Sequence, residues 1–505
     1  MKFKSKSINE LIAFYQEAST ISQINSVLGW DLNVNLPPKA SITRAQQSAF
    51  LTKLSTDKWK DPKIKKLLVA AEKDARTKEE KAVVRNMKKA SEYYHLVPQE
   101  LIIKFSKLTS ESFMVWNKAK RENKFSDFAP YLKEIVEINK LIAKHLRRGY
   151  KEDPYDALLD LYEPELTTKM CRKYFNQLQP ELTLLIKKIQ KSKAYPKTLP
   201  YIGSNYYYPP DDQKQLSLFA LRKIGYDLEA GRLDPSPHPF TIPLGNGDVR
   251  VTTKYTPTDF RDALTSTIHE GGHALYEQGS NPEYINTPLE GGISLGIHES
   301  QSRFWENQVG RSSEFLKFLI PVLQTLYSQQ LGHATHEELT LLFNYVKPGL
   351  IRIEADEVTY TLHIILRFEL EHALINGKLD VKDLPAAWNE KMKNYLGVTP
   401  KTDSEGVLQD VHWSYGSLGY FPTYALGNLY GAQLAHTMSK EIDLNQAISD
   451  ANFAVILSWL RTNVHKYSSL YLPQDLIKKV TGEALSAKYY LSYINKKYKA
   501  LYHVS

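Results

Sequence analysis

Apolar residues recur at three- and four-residue intervals along most of the chain, a spacing that predicts a mainly α-helical fold. Leu11, Ile12, Tyr15 and Ile21 form one such stripe. A second, opened by Pro98, runs through Leu101, Ile102, Phe105, Leu108 and Phe113. A third follows Tyr131, Leu132, Ile135, Ile138, Leu141 and Ile142. Each reads as the core-facing side of a helix. The breakers Pro37-Pro38, Pro209-Pro210, Pro235 to Pro239 and Pro348-Gly349 fall between helical segments rather than inside them.

One stretch keeps a different rhythm. His238-Pro-Phe-Thr-Ile-Pro-Leu and Val249-Arg-Val-Thr-Thr-Lys-Tyr read as two short strands, with Asn246-Gly247 supplying the positive φ of a hairpin turn. Val249, Val251 and Thr253 would share one face, and Arg250, Thr252 and Lys254 the other. That polar face suits a cleft lining and a solvated edge equally. Thr256 then reads as a helix N-cap, with Pro257 at the first helical position and Gly279 at the end.

Composition narrows the class. Hydrophobic residues make up 42% and charged residues 24%, ordinary globular usage that excludes a disordered chain. The longest largely apolar stretch, Phe453 to Leu460 with Ser458 inside it, is far short of the roughly 20 residues of a membrane span. The opening MKFKSKSINELIAFYQ lacks the apolar stretch of a secretory signal. The single cysteine, Cys171, forms no intramolecular disulfide, which fits a reducing, cytoplasmic setting. A net charge of +9 spread over 505 residues is too thin for a nucleic-acid surface, and opposite signs alternate locally. A prior of about 150 residues per domain would give three domains. The expectation is instead one helical body over residues 1–505, with an N-terminal helical part at about 1–200 and a catalytic part at about 236–430.

Chemistry concentrates at His269-Glu270-Gly271-Gly272-His273. Residues four apart stack on one helix face, so His269 and His273 present two imidazoles to one metal ion, with Glu270 within reach of a water there. Chance predicts about 0.02 such patterns in a chain of this composition. The two glycines cost the helix about 2 kcal/mol together, which implies close approach of a substrate or a neighbouring backbone. A third ligand must come from elsewhere, because Tyr276 and Gly279 occupy the positions where a metzincin carries its extra Gly and His. Glu277 lies too far along the same helix, and Glu283 and Glu290 sit in a Pro- and Gly-punctuated loop. Glu299 is the favoured candidate, entering a long helical stretch through Phe304, Trp305, Val309 and Phe315, with Glu306 next.

Six short motifs in order resemble the carboxypeptidase Taq family of metallocarboxypeptidases, over nearly the full length. They are His238-Pro239-Phe240, Asp248-Val-Arg250-Val-Thr252, the H-E-x-x-H itself, His298-Glu299-Ser300-Gln301, Ile351-Arg352-Ile-Glu-Ala355-Asp356, and Gly406-Val-Leu-Gln409-Asp410-Val-His412-Trp413. Gly29-Trp30-Asp31 followed by Pro37-Pro38 is a weaker match. The resemblance implies a multi-helix body around a deep central groove with the small sheet beside the active site, usually a homodimer. It implies metal ligation by His269, His273 and Glu299, with Glu270 as general base. The implied activity is release of single residues from peptide C-termini with broad side-chain tolerance.

Zinc, one ion per chain, is the default for this ligand set, with cobalt or manganese able to serve. Oxyanion donors are sought in the Gly- and aromatic-rich stretch after Gln409, where Tyr420, Tyr424 and His412 are candidates. Arg352 and Arg250 are candidates for gripping the substrate's free carboxylate, and Asp356 and Asp248 for orienting either ligands or arginines. His238 and His298 stay ambiguous. The partners expected are peptides with a free C-terminus, not nucleic acid or membrane. Two rivals remain: a helical metallo-oligopeptidase cutting inside short peptides, and a non-catalytic helical peptide-binding scaffold.

Overall fold

Local capping chemistry starts many of the helices. Ser5, Thr77, Thr167, Ser294, Ser312 and Asp356 each accept a hydrogen bond from a first-turn N–H of the helix that follows. The computed structural model describes residues 3–146 and 152–505. Among these are 21 α-helices and one three-stranded sheet. Met1 and Lys2, which begin the charged opening stretch, lie outside the described residues.

The helical stripes bury as their spacing requires. In the helix Phe125–Leu146, Leu132, Ile135, Ile138 and Ile142 are buried, while Leu141, which the expected stripe included, is exposed. In Gln99–Glu122 only Leu108 of the expected stripe is fully buried, and its other members pack half-covered on the core. Three prolines do sit inside helices, contrary to the expected punctuation: Pro130, Pro180 and Pro321. An internal proline costs a helix about 3 kcal/mol, offset here by apolar faces such as Leu178, Leu182 and Leu185 beside Pro180.

Among the described residues, buried apolar side chains form two clusters. The smaller joins Ile8, Leu11, Trp59, Leu67 and Val83 of the first helices to Tyr284, Leu289 and Leu470 from far along the chain. The larger runs from Val97 to Tyr502 and unites the helices through residue 191 with those of the catalytic part. No helix of the described residues is long and apolar enough to cross a membrane. Cys171 is free and buried.

The sheet is richer than a hairpin. Its strands are β1 (Leu233–Pro235), β2 (Thr241–Gly245) and β3 (Asp248–Thr253), in the order β1-β3-β2. β2 pairs antiparallel with β3, Thr241 opposite Val251, across a bulge at Pro243/Gly245; β1 joins β3 in parallel. The expected polar face is not a uniform edge. Thr252 is buried, with its hydroxyl 2.7 Å from the Ser236 hydroxyl and 2.9 Å from the Phe240 N–H. The helix after the sheet is Phe260–Gln278, starting later than Thr256 because Asp259, not Thr256, accepts from Arg261 N–H. The Pro257 and Thr258 carbonyls turn outward instead and accept from Tyr208 and Gly203 N–H.

The expected long helix after His298 is also broken. Leu295–Arg303 is α-helical, Phe304–Gly310 widens into a π-helical turn, and Ser312 caps a new helix, Ser313–Leu326.

Candidate metal centre and active site

On the helix Phe260–Gln278, Ile268, Ala274 and Leu275 are buried, which fixes the helix and aims His269 and His273 at a neighbouring helix. Their ring centroids lie 5.0 Å apart. Each Nδ1 is occupied. His269 Nδ1 meets Glu306 Oε2 at 2.8 Å, and His273 Nδ1 meets His298 Nδ1 at 2.6 Å. His298 Nε2 in turn meets Glu277 Oε1 at 2.7 Å. A carboxylate accepts, so His298 carries its proton on Nε2 and its Nδ1 accepts from His273 Nδ1–H. Both remaining Nε2 atoms face Glu299 Oε2, at 3.6 Å from His269 and 3.3 Å from His273. One donor atom from each of the three residues lies within 4.8 Å of the others.

The paired glycines answer to packing. A Cβ at Gly272 would lie 2.6 Å from the Gln301 carbonyl oxygen and 2.7 Å from Ser302 Cα. A Cβ at Gly271 would meet Leu221 and Ile224 at 2.8 and 2.9 Å. The neighbouring backbone, not a substrate, is what comes close to Gly272.

Glu299, on Leu295–Arg303, receives Arg303 Nε at 2.7 Å on Oε1 and the Ser302 hydroxyl at 3.1 Å on Oε2. Glu306 receives Arg303 at 3.2 Å and Arg311 at 2.9 Å. Burial disfavours both charges, but Arg303 with the imidazoles and, for Glu306, Arg311 outweighs it and holds both carboxyls well below their ordinary range. Burial pushes His273 down to about 4. It works the same way on His269, but Glu299 and Glu306 outweigh it and push that imidazole up. Two imidazole lone pairs and one ionised carboxylate converging on a point, with an imidazole and a carboxylate holding the back nitrogens, fit a divalent cation.

Glu270 is buried next to His269 in the same helix, with the Thr241 hydroxyl of β2 2.8 Å from its Oε2 and from its own carbonyl oxygen. Burial is the main reason its carboxyl sits above the ordinary range.

The Gly- and aromatic-rich segment after Gln409 packs against Arg352. Arg352 Nε donates to Asp410 at 2.9 Å and Nη1 to the Tyr360 hydroxyl at 3.1 Å; its N–H donates to Gln409 Oε1 at 2.8 Å. Asp410 also takes Arg367, and Tyr360 stacks under Arg303, 4.1 Å from the ring centre. A chain of contacts therefore runs from Glu299 through Arg303 and Tyr360 to Arg352. His412 stands with Tyr420 and Tyr424, ring centres 5.2 and 6.2 Å away, its Nε2 3.3 Å from the Tyr424 hydroxyl. Burial pushes His412 down to about 4, so it is neutral at pH 7. Glu371, fully buried on Glu357–Ile375, pins this loop by accepting from Trp413 Nε1 at 2.7 Å, Gly419 N–H at 2.9 Å and the Tyr155 hydroxyl at 2.5 Å.

Arg250 is placed otherwise. Asp248 grips it at 2.9 and 2.7 Å, and it stacks 4.2 Å over Trp30 of the first helix. No contact joins it to the imidazoles among the described residues. His298 takes the place behind His273. Glu306 and Glu277, weighed only as ligands in the sequence, support imidazoles instead. The seven-residue step from Glu299 to Glu306 carried a signal, two helical turns on one face. Thr241 and Tyr360 carried none.

A helical chain in which an H-E-x-x-H helix faces a carboxylate from the next helix has the make-up of a metallopeptidase. The family model described as carboxypeptidase Taq (M32) metallopeptidase matches residues 10–498, and the chain belongs to that family. It is 41% identical to thermostable carboxypeptidase 1 of Pyrococcus furiosus over 499 residues, 98% of this chain and 99% of the relative. It is 40% identical to thermostable carboxypeptidase 1 of Thermus thermophilus over 504 residues, covering 97% and 98%. The solved M32 carboxypeptidase of Deinococcus radiodurans R1 superimposes with a TM-score of 0.95 at 35% identity, covering 99% and 100%. The protein is therefore a metal-dependent carboxypeptidase acting on peptides.

Proposed function

We propose that His269, His273 and Glu299 hold one zinc ion per chain, that Glu270 is the general base, and that single residues are removed from peptide C-termini with broad side-chain tolerance. Cobalt or manganese would serve in the same geometry. The convergence of the three donor atoms within 4.8 Å, with Glu270 on the adjoining helix position, carries this reading. The family resemblance further supports a homodimer, to be read by sedimentation, and the sealed lone thiol supports a cytoplasmic setting.

When bound, a divalent cation supplies Lewis acidity toward a carbonyl oxygen and a water. Glu270, held through Oε2 by Thr241, takes a proton from the attacking water and delivers it to the leaving amine nitrogen. A carboxyl raised by burial is a stronger base than an ordinary one, which suits that task. Tyr420 and Tyr424 keep their phenolic protons, since burial pushes both up, and would donate to the developing oxyanion. His412 is neutral and orients this pair. Arg352 has Nε and Nη1 committed, which leaves Nη2 for the terminal carboxylate of the peptide.

A blocked dipeptide with a free C-terminus should release its terminal amino acid, lose that reaction on chelation and regain it with zinc. Its amidated twin should stay intact; cleavage of the amide at equal rate would favour an oligopeptidase. Glu270→Gln should bind zinc as the parent does and lose about 100- to 10,000-fold in kcat. Full turnover in that variant would remove Glu270 from the mechanism.

A further inference from the structure

Tyr162 and Glu163 follow the short helix Asp156–Leu159, in a part of the chain to which the sequence assigned no chemistry. Glu163 is fully buried. Its Oε2 accepts from Gly296 N–H at 2.9 Å and its Oε1 from the Tyr430 hydroxyl at 3.0 Å; the Ser294 hydroxyl bonds it as well. Ser294 and Gly296 form the first turn of the helix that carries Glu299 one turn later. Tyr430 belongs to the helix Pro422–Met438, whose Gly427 presses on Glu299 so closely that a Cβ there would lie 2.4 Å from Glu299 Cγ. One carboxylate thus ties the helix that carries the third donor to the helix that presses on it. Gly296 is the residue that admits it, since a Cβ would lie 2.6 Å from Glu163 Oε2.

The neighbouring residue reaches the other half of the site. The Tyr162 ring meets Tyr420 edge-on, centroids 5.1 Å apart, and its hydroxyl bonds the Ser417 side chain. Its carbonyl also accepts from Leu295 N–H at 3.3 Å. The segment has a rigid base. Leu158 and Leu159 are fully buried, and the backbone at Leu158 lies so close to Gly419 that a Cβ there would be 2.8 Å away.

We propose that Tyr162 and Glu163 are positioning residues for the two halves of the active site, Glu163 setting the Glu299 helix against Pro422–Met438 and Tyr162 setting the tyrosine pair at Tyr420. This rests on the metal-centre reading of His269, His273 and Glu299. Each acts through its neighbours, Glu163 through the Gly296 N–H and the Tyr430 hydroxyl, Tyr162 through the Tyr420 ring.

The two roles separate in measurement. Zinc affinity is read by competition with a chromophoric chelator, and kcat and KM are read at saturating zinc on the blocked dipeptide. Glu163→Ala should bind zinc about 10- to 100-fold more weakly. Glu163→Gln should recover most of that loss, because the amide oxygen still accepts from Gly296 and its NH2 donates to the Tyr430 hydroxyl. Tyr162→Ala should bind zinc within about twofold of the parent while kcat falls about 10- to 100-fold. If Glu163→Ala does not fold, Gly296→Ala tests the same clip, because its methyl displaces the carboxylate, and should weaken zinc binding in the same direction. Unchanged zinc affinity in the Glu163 and Gly296 variants would overturn the proposal. So would equal loss of zinc affinity in Glu163→Ala and Tyr162→Ala, the sign of general loosening. Absence of zinc binding in the parent protein would instead sink the metal-centre reading itself.

Discussion

A histidine offers a lone pair to a shared ion only when its other nitrogen holds the proton. The sequence spacing presents His269 and His273 together, and Glu299 follows from the need for a third donor on a crossing helix. The groups that make these donors usable come from tertiary contacts: Glu306 behind His269, His298 and Glu277 behind His273, Arg303 beside Glu299. Their side chains are ordinary in type, so nothing local marks them. Buried carboxyls make a second, measurable statement. Burial pushes Glu371 up from the ordinary 4.5 to about 7, so between those values the folded state holds a proton that the unfolded chain releases. This group's contribution to stability therefore falls as pH rises through that window and is flat above it. Relative to Glu371→Gln, the parent should lose up to about 3 kcal/mol of unfolding free energy between pH 4.5 and 7.5. Denaturant midpoints across that range check it, and a constant gap between the two proteins would show that the Glu371 carboxyl titrates normally.

At the scale of elements, helices were legible wherever a stripe was long, because period 3.6 needs only the sequence to be seen. Boundaries were not. The start of Phe260–Gln278 moved to Asp259 because distant residues claimed the Pro257 and Thr258 carbonyls, and β1 joined the hairpin from a stretch with no strand pattern. The π-turn at Phe304–Gly310 left no mark that periodicity could show. Helix contact distance gives the sharpest test at this scale. Gly272→Ala should gain about 1 kcal/mol in helix propensity but force its methyl against the Gln301 and Ser302 backbone. The net expectation is a loss of about 1–3 kcal/mol and weaker zinc binding, as the two donor helices part. Gly271→Ala meets only the side-chain ends of Leu221 and Ile224 and should lose less, with zinc affinity near the parent value. Thermal melts and chelator competition on both variants decide it; equal behaviour would mean that the close approach at Gly272 is not what aligns the helices.

Over the whole molecule, the mainly helical class and the hairpin ahead of the H-E-x-x-H helix were readable from pattern alone, but the arrangement of cores was not. The larger core gathers helices from both the N-terminal and catalytic parts, and the smaller one closes on Tyr284, Leu289 and Leu470. Shared burial of this kind predicts that the chain melts as one domain. Calorimetry of the metal-loaded protein should show a single transition, and two resolved peaks would assign the first helices a stability of their own. The first helix also meets the sheet through Trp30, with Arg250 at 4.2 Å and Arg232 at 5.2 Å from its ring.

The state of Cys171 bears on how such relations could be followed. It is the chain's single sulfhydryl, without solvent exposure and pushed well above its ordinary pKa by burial, so it offers almost no thiolate to an electrophile. A cysteine introduced on the surface would be the sole address for a maleimide dye or spin label. Paired labels across the first helix and the sheet would then report their separation during turnover, with no background from the protein's own sulfur.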